Sequence, residues 1–153
     1  MDSGTKKIGL TPRLVSALYT EAMLLADEAR AYFDEHGRDD RDTLAPMLRV
    51  GFSCESLKVT TRLMHVIAWL LTRRAVEAGE LSESQGLHNS RRLGHAAESD
   101  MVLVAQLPAD AQSMIESSIE LYARVKRIDT GLDAEMEAGS PANTLLKRLQ
   151  ASF

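Results

Sequence analysis

The residues best able to do chemistry in this chain are four histidines, a single cysteine and several arginines, and their spacing fits few reactions. His88 and His95 lie seven positions apart with Glu98 one helical turn further on, so one helix face could carry all three as metal ligands. Histidines without further ligand spacing are more often surface or capping residues, and we predict no metal site and no cofactor. Cys54 has no histidine or aspartate beside it in sequence, which predicts a small apolar residue rather than a nucleophile.

Known catalytic motifs are also missing from the sequence. It contains no glycine-rich phosphate loop, no G-x-S-x-G, no H-E-x-x-H and no Glu followed three positions later by His. We therefore predict that the protein is not an enzyme. The alternative is a small all-helical enzyme in which arginines such as Arg62 and Arg73 hold an anionic substrate, and this alternative requires both to face one pocket.

One set of polar residues forms a pattern of its own. At helical spacing, five residues fall on one stripe of the predicted helix 46–78, which we label α3, and we call them the α3 stripe: Lys58, Arg62, His65, Trp69 and Arg73. Stretch 41–79, which contains them, carries a net charge of +3 in an otherwise acidic chain. Arginine with tryptophan is typical of protein–protein hot spots, so these five are our candidate partner-binding residues. Alternatively, Trp69 fills a groove between helices, and three glutamates spaced by seven could pair with the basic groups: Glu21, Glu28 and Glu35.

Hydrophobic periodicity predicts helices along most of the chain. The amphipathic segments are about 12–35, 46–78, 82–97 and 108–131, with a short apolar linking segment at 101–107. Thr11 with Pro12 is a start signal, Ser82 with Gln85 has the spacing of a capping box, and Gly79 and Gly131 are stop signals. The 46–78 helix is apolar over more than half of its circumference, so it must be central and covered by several neighbours.

The predicted fold is all-α: a three-helix bundle with one additional short helix. A central helix with two apolar sides often leaves a strip free, which predicts a homodimer. We divide the chain into a flexible leader (1–10), the helical bundle domain (11–131) and a mobile C-terminal tail (132–153).

Composition excludes several classes of protein. With 153 residues, 44% of them hydrophobic and 26% charged, the chain can bury a core without disulfides, and its one cysteine cannot form any within the chain. A net charge of −4 argues against nucleic acid as a partner, although the pair Arg91-Arg92 keeps a DNA-binding regulator as an alternative. No secretory signal and no apolar stretch near 18 residues is present, so we expect a cytoplasmic protein without a membrane span.

Three sequence runs resemble the RcdA family, the regulator of CtrA degradation, which was long catalogued as a domain of unknown function. The most specific run is ESLKVTTRLMHVIAWLL at 55–71, followed by RAVEAGELS at 74–82 and LYARVKRID at 121–129. The likeness extends over roughly residues 12–130.

This resemblance implies a dimeric, non-enzymatic adaptor for regulated proteolysis of cell-cycle regulators. Family members link a ClpXP protease, primed by a CpdR-like response regulator, to cargo such as CtrA, through a PopA-like effector, or TacA. The resemblance also implies a cytoplasmic protein that can be recruited to the cell pole. It carries no motif of functional residues, so the candidate site depends on the α3 stripe alone.

Overall fold

The computed structural model describes residues 10–139 and 141–152, and at 136, 137, 141, 143 and 144 it describes the backbone alone. In these residues the chain forms seven α-helices: α1 (Pro12–Ala31), α2 (Arg38–Asp42), α3 (Pro46–Glu77), α4 (Glu83–Gly86), α5 (Met101–Val104), α6 (Ala109–Ala138) and α7 (Pro141–Ser152). A π-helical turn, Tyr32–His36, extends α1, and a 3₁₀ turn lies at Asn89–Arg91. No strand occurs in the described part, which confirms the all-α class, whereas the predicted count of three main helices and one short helix is wrong.

The start of α1 and the C-terminal end of α3 lie where the capping residues predict them. Thr11 Oγ1 accepts a hydrogen bond from the Leu14 amide at 3.1 Å, which satisfies one of the free donors of the first turn. At the end of α3, Gly79 has φ +78°. Its N–H donates to the Val76 carbonyl at 3.1 Å, and Glu80 N–H donates to that of Ala75 at 2.9 Å, which is a Schellman motif.

Residues 82–100, hereafter the connector, depart from the predicted third helix. The capping box is confirmed, since Gln85 N–H donates to Ser82 Oγ at 3.1 Å and Ser82 N–H to Gln85 Oε1 at 2.8 Å. However, α4 ends at Gly86 instead of continuing to residue 97, and 93–100 have no regular secondary structure. Gly86 packs so closely on α3 that a Cβ there would lie 2.5 Å from Val76 Cγ2, and the residues that follow are poor helix formers.

The prediction that Gly131 ends the last helix is wrong, because α6 continues through it to Ala138. Beyond the glycine, Leu132 is buried and Asp133 forms an ion pair with Arg92 at 3.0 Å. These tertiary contacts outweigh the cost of about 1 kcal/mol for glycine within a helix. The predicted tail is thus helical where it contains the end of α6 and where it contains α7, while its mobility stays a prediction. Of the predicted leader, residues 1–9 lie outside the described residues.

The three long helices, α1, α3 and α6, each contact the other two. Their shared core is built mainly of aliphatic side chains, among them Val15, Val66, Leu70, Ile115 and Leu121, which are all fully buried. An aromatic group closes one end, where Phe33 and Phe52 meet edge to face with ring centroids 5.3 Å apart. None of the described helices combines the length and the apolar character that crossing a membrane requires.

Candidate functional site

The α3 stripe faces the connector and α6, and Arg62 lies at its middle. Only 3% of Arg62 is exposed. Its guanidinium donates to Ser118 Oγ on α6 at 3.1 Å and, in the connector, to Ser99 Oγ at 2.7 Å and the Ala97 carbonyl at 3.2 Å. A single buried cation thus joins α3, α6 and the connector through neutral oxygen atoms.

Trp69, two turns further along α3, is fixed by a carboxylate on α6. Its indole N–H donates to Asp129 Oδ1 at 2.9 Å, and both residues are buried. Arg92 of the connector donates to the same oxygen at 2.8 Å, and it also pairs with Asp133. The hydrogen bond from Arg92 to Asp129, together with the charge of the two aspartates, raises the pKa of Arg92 above its ordinary value. Asp129 therefore connects all three parts of the site.

The two ends of the α3 stripe are ion pairs. Arg73 is buried and donates to Glu83 Oε1 of α4 at 2.6 Å, whereas its Nε and Nη1 are buried without a partner among the described residues. Lys58 pairs with the fully buried Glu55 at 2.9 Å, and the Asp100 amide donates to the same carboxylate oxygen at 3.2 Å. Burial alone would raise the pKa of Glu55, but hydrogen bonds from Ser99, Lys58 and Asp100 outweigh it and lower that pKa.

His65 packs against the connector at Gly94. A Cβ at position 94 would lie 2.6 Å from His65 Nδ1, so only glycine fits there without a shift of the ring. Tyr122 of α6 fixes the same glycine by donating to its carbonyl at 2.6 Å. The imidazole is half-buried, and its Nδ1 has no hydrogen-bond partner in the described part of the chain.

These contacts place most of the α3 stripe in the interior of the chain, and a role of its residues in partner binding stays a prediction. Arg62, Trp69 and Arg73 are buried against the connector or α6, His65 packs on the connector, and Lys58 is paired with Glu55 of α3 itself. The reason is that residues 93–100 of the connector have no regular secondary structure to satisfy their own backbone groups, so donors on α3 and α6 bind them. The alternative interpretation, that Trp69 fills a groove between helices, matches this placement. A partner could reach these residues only if the connector moved away.

The predicted pairing of first-helix glutamates with the α3 stripe is also corrected. Glu21 pairs with Arg124 on α6, and Glu28 and Glu35 are exposed. Likewise, Arg62 and Arg73 do not converge on one substrate, since they are eleven residues, or about 16 Å, apart on α3 and Arg73 is paired with Glu83. Among residues 10–139 and 141–152, no group of His, Cys, Asp or Glu is arranged to hold a metal ion.

The apolar surface lies on a different side of α3, roughly a third of the circumference around the helix from the α3 stripe. Four large apolar side chains recur there at intervals of seven residues and stay exposed: Val50 (59%), Leu57 (67%), Met64 (62%) and Leu71 (47%). Smaller or more terminal residues alternate with them at spacings of three and four, which is the repeat of a coiled-coil contact. We call this set the α3 seam: Met47, Val50, Cys54, Leu57, Thr61, Met64, Ala68 and Leu71.

A groove between α1 and α3 extends the α3 seam sideways. It is a cavity of about 420 Å³, lined on one side by Met23 of α1 and Phe33 of the π-helical turn, and on the other by Leu57 and Met64 of the α3 seam. The α3 seam is about 36 Å long at 1.5 Å per residue. Apolar surface of this extent on one face of a protein marks an interaction site.

Sequence reasoning missed the polar partners of the α3 stripe and did not identify which apolar residues stay exposed. Asp129, Arg92 and Glu55 carry much of the polar network; Glu55 and Asp129 lie within runs that resemble the family, whereas Arg92 does not. A free apolar strip was expected on the central helix, but spacing alone could not separate its residues from the core. The buried Phe52, Val59 and Val66 are seven residues apart, just as the exposed seam residues are.

Comparison with known proteins adds family information. A family model described as "Protein of unknown function (DUF1465)" matches residues 7–153. Among solved structures, the chain is similar to the crystal structure of RcdA from Caulobacter crescentus CB15, with 31% sequence identity and a TM-score of 0.65. The match covers 82% of this chain and 94% of that one. No curated protein matches significantly.

Proposed function

Because the chain belongs to the RcdA family, whose model carries the description DUF1465, we propose that it is a non-enzymatic adaptor for regulated proteolysis. The partners that we propose follow the family resemblance in the sequence. They are a ClpXP protease with a CpdR-like response regulator on one side, and a PopA-like effector with CtrA-like or TacA-like cargo on the other. In this proposal the protein presents surfaces to these partners and is not itself consumed.

The observation that best supports an adaptor is the division of α3 into two faces. Three of its seven charged residues, Glu55, Arg62 and Arg73, hydrogen-bond to the connector, whereas the α3 seam, which is largely apolar, is exposed. An enzyme gathers polar groups around a substrate, but here these charged groups are occupied within the chain. The largest unsatisfied surface is therefore suited to another macromolecule.

We propose further that a second copy of the chain occupies the α3 seam, which makes the adaptor a homodimer. If a two-fold axis crosses between Thr60 and Thr61, Leu57 of one copy lies opposite Met64 of the other, and Val50 lies opposite Leu71. Small residues between them, such as Ala68, allow close approach of the two helices. Complete burial of each large side chain stabilises by about 1.5–3 kcal/mol, so four from each copy can support a stable pair.

Sedimentation equilibrium tests the dimer. The double variant Leu57→Glu, Met64→Glu places two carboxylates at the centre of the α3 seam and should convert a dimer into a folded monomer. The control is the double variant Ser113→Glu, Ser117→Glu, which introduces two carboxylates at exposed positions of α6, a helix that contributes no residue to the α3 seam. A monomeric wild type, or a double variant that still dimerises, would contradict this part of the proposal.

A reconstituted degradation assay tests the adaptor role separately. The purified protein is added to ClpXP, the response regulator, the effector and radiolabelled cargo, and the half-life of the cargo is measured. We expect faster loss of cargo at a constant amount of the added protein. Unchanged cargo half-lives with every cognate cargo, or loss of the added protein at the same rate as the cargo, would refute the adaptor role whatever the oligomeric state.

A further inference from the structure

A second cavity, of about 420 Å³, opens between α6 and the connector. Its α6 wall consists of Ile119, Tyr122, Ala123 and Lys126, and residues 95–99 of the connector form the wall opposite. Arg62 reaches this cavity from α3. Arg62 is the only member of the α3 stripe among the lining residues, and no member of the α3 seam lines the cavity.

Arg62 brings a positive charge to this cavity that no carboxylate in the described residues neutralises by contact. Its three hydrogen bonds go to two serine hydroxyls and one backbone carbonyl, all of them neutral. The carboxylate of Glu55 acts on it only at longer range, being bound by Lys58. Arginine is rarely buried without an ionic partner, and burial lowers the pKa of Arg62 accordingly.

The connector wall also has backbone N–H groups without a protein acceptor. From Leu93 to Ser99, they donate to no protein atom in the part of the chain that the structure describes. The carbonyls of Gly94 and Ala97, by contrast, are held by Tyr122 and Arg62. Free backbone amides and a guanidinium in the lining of one cavity are both donors of the kind that carboxylate oxygen atoms accept from.

The remaining walls are apolar and the space is small. Ile119, Ala123 and Met101 line it together with Tyr122, so the ligand needs an apolar body. At the opening, the positive charge of Lys126 offsets the negative charge of Glu98. The charge of Arg62 then gives the cavity lining a net positive charge. Its volume lies at the lower end of the range of roughly 300–1,000 Å³ that ligand pockets occupy.

We propose that this cavity binds a carboxylate on a small apolar body, with the carboxylate against Arg62 and the apolar part between α6 and the connector. Two sources have this chemistry: a free short-chain carboxylic acid and the C-terminal residue of a peptide. The proposal does not depend on the adaptor role, because it concerns a different surface and a different kind of ligand.

NMR titration of the full-length, ¹⁵N-labelled protein tests the proposal. The probes are 4-methylpentanoate and its neutral amide, and N-acetyl-Ala-Ala-Leu with a free or an amidated C-terminus. We expect the carboxylates to shift the amide signals of 95–99 and 119–126, and to bind about tenfold or more tightly than the amides, because hydrogen bonds to a charged group are about twice as strong. Tighter binding of the tripeptide assigns the site to a peptide C-terminus, and equal or tighter binding of the free acid assigns it to a small molecule.

Variants separate the cavity from adventitious binding. Ala123→Leu fills the α6 wall without removing any hydrogen bond of Arg62, and should abolish the shifts while the melting temperature is kept. Ala134→Leu, at an exposed position of the same helix, is the matched control and should bind like the wild type. The proposal is overturned if carboxylate and amide bind equally, if the shifts fall elsewhere, or if Ala123→Leu binds as the wild type does.

Discussion

The two faces of α3 have opposite relations to solvent. The face that carries Lys58, Arg62, Trp69 and Arg73 is covered by the connector and α6. The face that carries the α3 seam is exposed, with Leu57 67% accessible. A polar side chain is stable in the interior when neighbouring groups complete its hydrogen bonds, and the connector provides them. An apolar side chain remains outside when the chain itself has nothing to cover it with.

This difference shows what an amphipathic pattern can and cannot predict. The pattern divides a helix into two faces, but it does not decide which of them the rest of the chain covers. In α3 the deciding element is a segment without helix, 93–100, whose backbone needs side-chain partners. The predictions that follow test whether the buried polar face stabilises the fold and the exposed apolar face does not.

The largest effect is expected at Trp69. The substitution Trp69→Ala removes a buried ring and also the hydrogen bond from the indole to Asp129, which then keeps only its bond from Arg92. The free energy of unfolding should therefore fall by about 3–5 kcal/mol in urea titrations. Trp69→Phe keeps most of the packing but loses the N–H donor to Asp129, and should cost about 1 kcal/mol. A Trp69→Ala variant with wild-type stability would show that the inner face is not part of the core.

Sequence reasoning predicted the boundaries of α1 and α3 because their signals are local. Thr11, Pro46 and Gly79 act on the backbone within a few residues of themselves. It failed where distant contacts decide: α6 continues past Gly131 because Asp133 reaches Arg92 across the fold. Spacing along α3 identified the residues of the α3 stripe as a group. It could not identify their partners, such as Asp129 and Ser118, because these lie far away in the sequence.

The second effect is expected at Glu55 and depends on pH. In the folded protein its pKa is lowered, so the stability it contributes is fully present above the ordinary value of 4.5 and is lost as pH falls through the lower, folded pKa. Glu55→Gln removes the charge that Lys58 pairs with and should cost about 1.5–3 kcal/mol at neutral pH. The difference from the wild type should then shrink on acidification, as measured by urea unfolding from pH 7 down to pH 3. A difference that does not change with pH would contradict an ionised Glu55 in the folded protein.

A smaller effect is expected where the connector meets His65. Gly94→Ala places a methyl group 2.6 Å from His65 Nδ1, and displacement of the ring should cost about 1–2 kcal/mol. Gly79→Ala is a useful contrast because no atom lies within 4 Å of its added Cβ, so only its φ of +78° is strained. Both variants lose stability, but only Gly94→Ala should also change the chemical shifts of the His65 ring and of 93–100. Unchanged chemical shifts in that variant would contradict the contact between the connector and His65 of the α3 stripe.

The smallest effect on the stability of the single chain is expected on the outer face. Leu57→Ser changes an apolar side chain that is 67% exposed, and the free energy of unfolding extrapolated to infinite dilution should change by no more than about 0.5 kcal/mol. The same substitution removes one large apolar contact from each copy in a dimer, so the dissociation constant of the dimer should rise by at least about tenfold. Sedimentation and urea unfolding over a range of protein concentrations measure the two quantities separately. A large loss of stability in the dilute monomer would mean that Leu57 is covered by its own chain, and the contrast between the two faces of α3 would then not hold.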